Sequence, residues 1–161
     1  MTTVGILSDT HLYEITKEFD RNVKKAFSGC DVIIHAGDLT ELSILAVFKD
    51  KEVHGVCGNC CNFLTRASLP EKKTIVLKGY TFGICHGAGN RLNIEDRMYD
   101  LFPDVDCIIF GHTHIPLCKT VGQTMLINPG SFSGTGKYGA SGTYAIVNIN
   151  DEGLEASIKQ L

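Results

Sequence analysis

Five short apolar runs in this 161-residue chain end in a small residue or glycine, and each is followed closely by side chains that bind metals. Gly-Ile-Leu-Ser leads to Asp9-Thr10-His11 and Val-Ile-Ile-His-Ala-Gly to Asp38. Val-Cys-Gly leads to Asn59, Phe-Gly-Ile-Cys to His86-Gly87, and Ile-Ile-Phe-Gly to His112-Thr113-His114. A short β-branched run reads as a buried strand, and a side chain just past its end leaves the core while its backbone remains fixed by it. In open α/β sheets ligands bind beyond the carboxyl ends of the strands. Residues far apart in sequence can therefore share one rim.

The rest of the chain fits that frame. Strands are predicted over Thr3 to Ser8, Val32 to His35 and Val53 to Cys57, alternating with helices near Asp20 to Ser28 and Leu42 to Phe48. This is the rhythm of βαβ units. Thr74 to Leu77 and Thr81 to Cys85 flank the turn signal Lys78-Gly79-Tyr80 and read as a hairpin. Asn93 is placed to cap a helix running to about Phe102, stopped by Pro103, before a buried strand within Val105 to Phe110. Beyond it, Met125 to Ile127 and Thr143 to Ile149 carry strand character but no helical periodicity, which suggests antiparallel strands finishing a sheet. Two mixed sheets stacked face to face with helices outside accommodate both halves in one core, in preference to a Rossmann arrangement. We expect one domain over residues 1–161.

The donor types suit Mn, Fe, Zn, Co or Ni, because imidazole nitrogen and carboxylate or amide oxygen fit these ions better than thiolate chemistry would. Seven donors exceed one tetrahedral set. The surplus points to two ions about 3.5–4 Å apart, the spacing of two-metal hydrolases, with Asp38 as the bridging carboxylate. Asp-x-His alone is weak evidence, but two imidazoles at i and i+2 in the abrupt turn Gly-His112-Thr-His114 are costly to order without a partner.

Taken together, Asp9-x-His11, Gly37-Asp38, Gly58-Asn59, His86-Gly87 and Gly111-His112-Thr113-His114 resemble the calcineurin-like metallophosphoesterase signature. The chain length and Asn128-Pro129-Gly130-Ser131 are similar to those of the small YfcE-like phosphodiesterases. The resemblance implies a four-layer αββα sandwich of the metallo-dependent phosphatase type. It implies one metal on Asp9, His11, Asp38 and His114, and a second on Asp38, Asn59, His86 and His112. The expected cofactors are two divalent ions, Mn first, with Ni, Co, Fe or Zn as alternatives. The expected reaction is hydrolysis of a small phosphodiester by in-line attack of a metal-bridging hydroxide, with Asp38, Asn59, His86 and His112 as the catalytic set.

Two departures from the pattern matter. The family continues after Gly-Asn with His-Asp, His-Glu or Cys-Asp, whereas this chain reads Cys60-Cys61. An imidazole that assists the leaving group is thus absent, and so is an acid beside it. Relatives also run from Asn-Pro-Gly-Ser toward a Pro-Arg pair, for which Lys137 is the nearest available cation. Asn59, Cys60 and Lys137 are the expected substrate contacts.

Other features bear on partners. A formal charge of −3 gives no basic field to gather nucleic acid, so a long polyanion is not the expected substrate. The N-terminus lacks a signal peptide's basic and apolar regions, and no apolar run approaches membrane-spanning length, so a cytoplasmic location is expected. Seven cysteines, an odd number spread through strand-like segments, read as reduced and mostly buried thiols. His35 reads as a core or supporting imidazole and His54 as structural. The rival readings are a non-catalytic scaffold of the same fold, as in the retromer complex, or a phosphomonoesterase or nuclease. A homo-oligomer is left open.

Overall fold

The structure is a computed structural model that describes residues 1–134 and 140–161. Strands β1 (Thr2–Leu7), β2 (Val32–His35) and β3 (Glu52–Gly55) are parallel neighbours, and β9 (Thr143–Asn150) and β10 (Gly153–Gln160) extend them antiparallel in the order β10-β9-β1-β2-β3. The second sheet runs β4-β5-β6-β8-β7, formed by β4 (Lys72–Leu77), β5 (Tyr80–Cys85), β6 (Cys107–Ile109), β8 (Thr124–Asn128) and β7 (Leu117–Val121). Its three central strands, β5, β6 and β8, are parallel, and each edge strand is antiparallel to its neighbour.

The period-two alternation of the strands builds the layers. Val4 and Ile6 of β1 and Val32 and Ile34 of β2 face inward, where they meet Phe82, Ile84, Cys107, Ile109 and Ile127 of the other sheet in one fully buried cluster. The intervening residues face out. Ile33, with Leu7, packs under helix α1 (Lys17–Phe27) through Phe19, Val23 and Phe27, and under Ile44 and Phe48 of the 3-10 helix Leu42–Phe48. On the far side, Ile108, Phe110 and Leu126 pack under Ile94 and Met98 of α3 (Ile94–Leu101) and under Phe102. The result is the αββα sandwich that the resemblance implied. Among the described residues no helix is long and apolar enough to cross a membrane.

Several elements differ from expectation. Leu42–Phe48 is 3-10 rather than α-helical, and Glu41 before it gives no side-chain cap. Asn93 precedes α3 in the left-handed conformation and does not cap it through its side chain. Helix α1 starts at Lys17, ahead of the expected start near Asp20, because Thr16 supplies the cap, accepting from the Phe19 N–H at 3.1 Å.

Candidate metal centre

Because β1, β2 and β3 are parallel in one sheet, and β5 and β6 in the other, their carboxyl ends carry the five motif loops out of the core. The chain must turn sharply there. Asp9, His11, Asp38, His112 and His114 all adopt left-handed backbone, with φ of 55°, 49°, 54°, 68° and 61°. That conformation costs a non-glycine residue on the order of 1–3 kcal/mol and persists only where the surroundings impose it. Here the loops impose it on one another. The N–H groups of Asp9 and His11 donate to Gly37 and Asp38 carbonyls at 3.0 Å, and the Gly111 N–H donates to the His86 carbonyl at 3.0 Å.

The glycines in the motifs have a steric cause. A Cβ on Gly58 would lie 2.1 Å from Asp38 Oδ1, and one on Gly111 would lie 2.0 Å from Ser8 Oγ and 2.8 Å from Asp9 Oδ2. Each glycine lets a backbone segment lie directly against a carboxylate.

At the centre, the fully buried Asp9 points Oδ1 at three imidazoles. His114 Nε2 is 3.0 Å away, His11 Nε2 3.7 Å and His86 Nε2 3.9 Å. His86 Nε2 also lies 3.1 Å from Asp38 Oδ2. None of these approaches is a hydrogen bond: Asp9 Oδ1 and His86 Nε2 are both buried without a hydrogen-bond partner. Buried polar atoms are rarely left so. Donor atoms of Asp9, His11 and His114, and likewise of Asp9, Asp38 and His86, lie within 4.8 Å of one another, which is the geometry of ligands converging on a cation.

The remaining atoms of these side chains are held in place. Asp9 Oδ2 accepts from Ser8 Oγ at 2.5 Å and from the His112 N–H at 3.1 Å, and Asp38 Oδ1 accepts from the Cys60 N–H at 2.7 Å. His86 Nδ1 faces the Ala36 carbonyl at 2.8 Å, and His112 Nε2 faces the Gly89 carbonyl at 2.8 Å. A carbonyl can only accept, so those ring nitrogens carry a proton, which leaves His86 Nε2 and His112 Nδ1 as the nitrogens able to bind a cation.

Electrostatics agree. Burial alone would raise the Asp9 carboxyl, but the imidazoles of His11 and His114 beside it, with His86 and Ser8, outweigh burial and hold it well below the usual carboxylate range. Asp38 is also lowered: burial opposes, and His86 and the Cys60 N–H prevail. His11 is raised chiefly by Asp9, and His86 is raised by Asp38 and Asp9 against burial. Two ionised carboxylates thus favour positive charge at this spot, which a metal ion satisfies.

Of the residues singled out in the sequence, Asp9, His11, Asp38, His86 and His114 converge directly. His112 stands beside them, its ring centroid 5.4 Å from that of His86. Asn59 is exposed in the loop beside Asp38, its Nδ2 donating to Cys60 Sγ at 3.3 Å. Cys60 is exposed and its sulfur lies within 4.8 Å of donor atoms of His11 and Asp38. Cys61 instead turns inward, where it packs with Leu39 and Cys57 and accepts from the Gly58 N–H at 3.2 Å. Lys137 lies outside the described residues. His35 is fully buried against Thr10 Oγ1 at 3.1 Å, and burial pushes its pKa down to about 3. His54 ties β3 to β4 through Glu52 and Lys73, away from the centre.

Residue-type reasoning overlooked the braces. Asn128 is buried and donates through Nδ2 to the Gly111 carbonyl at 2.8 Å and to Thr113 Oγ1 at 3.0 Å, fixing the Gly-His-Thr-His turn. Ser131 Oγ and Ser133 Oγ donate to the Asp9 and Thr10 carbonyls at 3.0 and 2.6 Å. The Asn-Pro-Gly-Ser segment, a family marker in the sequence, straps the Asp9–Thr10 and Gly111–Thr113 loops together.

Parallel strands from two stacked sheets deliver carboxylates and imidazoles to one shared edge, where they form a candidate metal centre. The chain belongs to the calcineurin-like phosphoesterase superfamily, whose domain matches residues 2–152. A probable metallophosphoesterase of Methanocaldococcus jannaschii is 37% identical over 134 residues, covering 80% of this chain and 67% of that relative. A phosphodiesterase of the same organism is 25% identical over 152 residues, covering 81% of this chain and 84% of the other. The fold is also that of wild-type Vps29 from Entamoeba histolytica complexed with Zn2+, with a TM-score of 0.74, 22% identity and coverage of 99% of this chain and 98% of that one. The family is metal-dependent, and the clustered donors of this chain fit that requirement.

Proposed function

We propose that this chain is a metal-dependent phosphodiesterase acting on a small phosphodiester. Asp9, His11, Asp38 and His114 would hold one divalent ion, and Asp38, Asn59, His86 and His112 a second, with Mn the first candidate and Ni, Co, Fe or Zn alternatives. The observation that carries the reading is the orphaned Asp9 Oδ1, buried beside three imidazole nitrogens with no hydrogen bond of its own. When bound, such ions neutralise phosphoryl oxygens and lower the pKa of water so that it attacks phosphorus in line.

The protein's own part is positioning. Ser8 and the His112 N–H bind one oxygen of Asp9, which leaves Oδ1 aimed at the centre. The Ala36 and Gly89 carbonyls select the tautomers of His86 and His112, and the Cys60 N–H orients Asp38. Such supporting contacts are worth about 10–100-fold in metal affinity or activity. Asn59 and the exposed Cys60 stand at the open side, where substrate would approach. Cys60 brings no imidazole to protonate a leaving alcohol, which favours esters with stable leaving groups. The phosphodiesterase relative supports a diester over a monoester. A formal charge of −3 argues against a nuclease.

Asp38→Asn tests the assignment, because the amide keeps the shape but removes the charge expected to bridge two ions. The variant should fold and lose diester turnover by at least about 100-fold, with weakened metal binding. Full metal-dependent turnover would remove Asp38 from the bridge.

A further inference from the structure

Next to the metal centre lies a cavity of about 430 Å³ whose wall includes Asn59 and His86. A space of that size takes a nucleoside-sized group. Its lining includes the apolar side chains of Cys85, Met98 and Leu101 and the charged ones of Arg66, Arg97 and Glu71. Lys24 and Lys119 pair with carboxylates, but neither Arg66 nor Arg97 has a carboxylate partner among the described residues, although Glu71 lines the same cavity.

Both guanidinium groups are instead anchored by carbonyls of the loops that carry the metal donors. Arg66 Nε donates to the Cys61 carbonyl at 3.0 Å and Nη2 to the Asn59 carbonyl at 2.5 Å. Arg97 Nη1 donates to the Ala88 carbonyl at 3.2 Å and Nη2 to the Asn90 carbonyl. Neutral carbonyls fix the position of a cation without cancelling its charge. Each guanidinium keeps N–H groups beyond those bonds, Nη1 on Arg66 and Nε on Arg97 among them. A side chain already ordered loses little rotamer entropy on binding a ligand. Two anchored guanidiniums without a carboxylate partner among the described residues, with one carboxylate in the same lining, leave a net positive cavity. Planar guanidinium donors match an oxyanion, of which phosphate is the one that a phosphoester substrate carries.

Taking the phosphodiesterase reading as its basis, we infer that this cavity receives the organic group of the substrate and selects one that carries a second phosphate. Cys85, Met98 and Leu101 cover the flat or apolar part of that group, Arg66 and Arg97 take its phosphate, and Glu71 is placed to accept from a hydroxyl. The substrate class is therefore a nucleotide-like phosphodiester bearing a further phosphate, short enough to need no basic surface outside the cavity.

Two chromogenic esters separate the possibilities: thymidine 5′-(p-nitrophenyl phosphate) with a 3′-hydroxyl, and the same ester with a 3′-phosphate. With the Mn-loaded protein, kcat/KM should favour the 3′-phosphorylated ester by about tenfold or more, the gain expected of a charge-assisted contact. Arg66→Gln and Arg97→Gln should each bring that ratio toward one. Since the ratio is taken within each variant, any general weakening of the metal centre cancels. A wild-type ratio near one, or a ratio unchanged in both variants, overturns the inference while leaving the phosphodiesterase reading intact. If no diester is cleaved with any metal, that reading fails instead, and calorimetric titration still decides the cavity. Tighter binding of thymidine 3′,5′-bisphosphate than of thymidine 5′-phosphate, lost in Arg97→Gln, supports it, and equal affinities overturn it.

Discussion

Replacing Gly58 by alanine adds one methyl group at the point where the Asn59 loop lies against Asp38. That methyl would sit 2.1 Å from Asp38 Oδ1 and 2.5 Å from the Asp38 backbone nitrogen. Contacts of a Cβ below 3.0 Å are essentially never tolerated, so something must move by about 1 Å. The backbone nitrogen cannot swing away as a flexible side chain can, and Asp38 is already held at φ 54°. The carboxylate or the whole Asn59 loop must therefore yield. Overpacking of this kind costs about 1–3 kcal/mol of stability. A misplacement near 1 Å at a reacting centre costs about 100-fold in rate. Gly55→Ala is the matched control, since its Cβ would meet only Leu69 and Leu45 side-chain atoms, at 3.4–3.6 Å. Urea unfolding, Mn titration and diester turnover should show Gly58→Ala impaired in all three and Gly55→Ala close to the parent. Unchanged metal affinity and turnover in Gly58→Ala would refute the steric reasoning.

Two further outcomes follow from the supporting shell. Asn128→Ala removes two hydrogen bonds to the Gly-His-Thr-His turn and the one that Asn128 Oδ1 accepts from the Gly130 N–H at 2.9 Å. It should cost about 3 kcal/mol in urea unfolding and at least about tenfold in metal affinity, and a neutral result would show the brace to be dispensable. His35 has a folded-state pKa of about 3 against an ordinary 6.5, so its stabilising contribution is complete above pH 6.5 and is lost as pH falls from there toward 3. Relative to His35→Gln, the parent should lose about 2 kcal/mol between pH 6.5 and 5, and parallel stability curves would contradict the buried neutral imidazole.

The ligand loops were legible in sequence because each begins just past an apolar run, and a run such as Val32–Ile34, buried in full, stands out from its surroundings. Other elements were hidden for identifiable reasons. Strand β7 is an edge strand, exposed along most of its length, so Leu117–Val121 carries no apolar pattern. Strand β10 has no fully buried residue, being half-buried or exposed along its length, and reads as mixed polar sequence. Helix α2 (Phe63–Ser68) is too short to display a helical period, and it exposes Phe63 and Leu64 while burying Thr65. Leu42–Phe48 has helical composition, and composition does not distinguish 3-10 from α. Within the site, donor types were readable, but the braces were not. Asn128, Ser131 and Ser133 act through backbone carbonyls of distant loops, and a carbonyl leaves no trace in sequence. The inward turn of Cys61 likewise depends on the pocket formed by Leu39 and Cys57.

If the clustered donors form a metal centre that hydrolyses phosphodiesters, added metal should govern turnover. The most direct test is turnover of bis-p-nitrophenyl phosphate and p-nitrophenyl phosphate by metal-stripped protein, with Mn, Ni, Co, Zn or Mg restored in turn. The metal-stripped protein should be inactive, and Mn or another transition ion should restore diester cleavage above monoester cleavage. Stoichiometric metal binding with no turnover of either ester under any metal would contradict this reading and leave a metal-binding scaffold of the same fold.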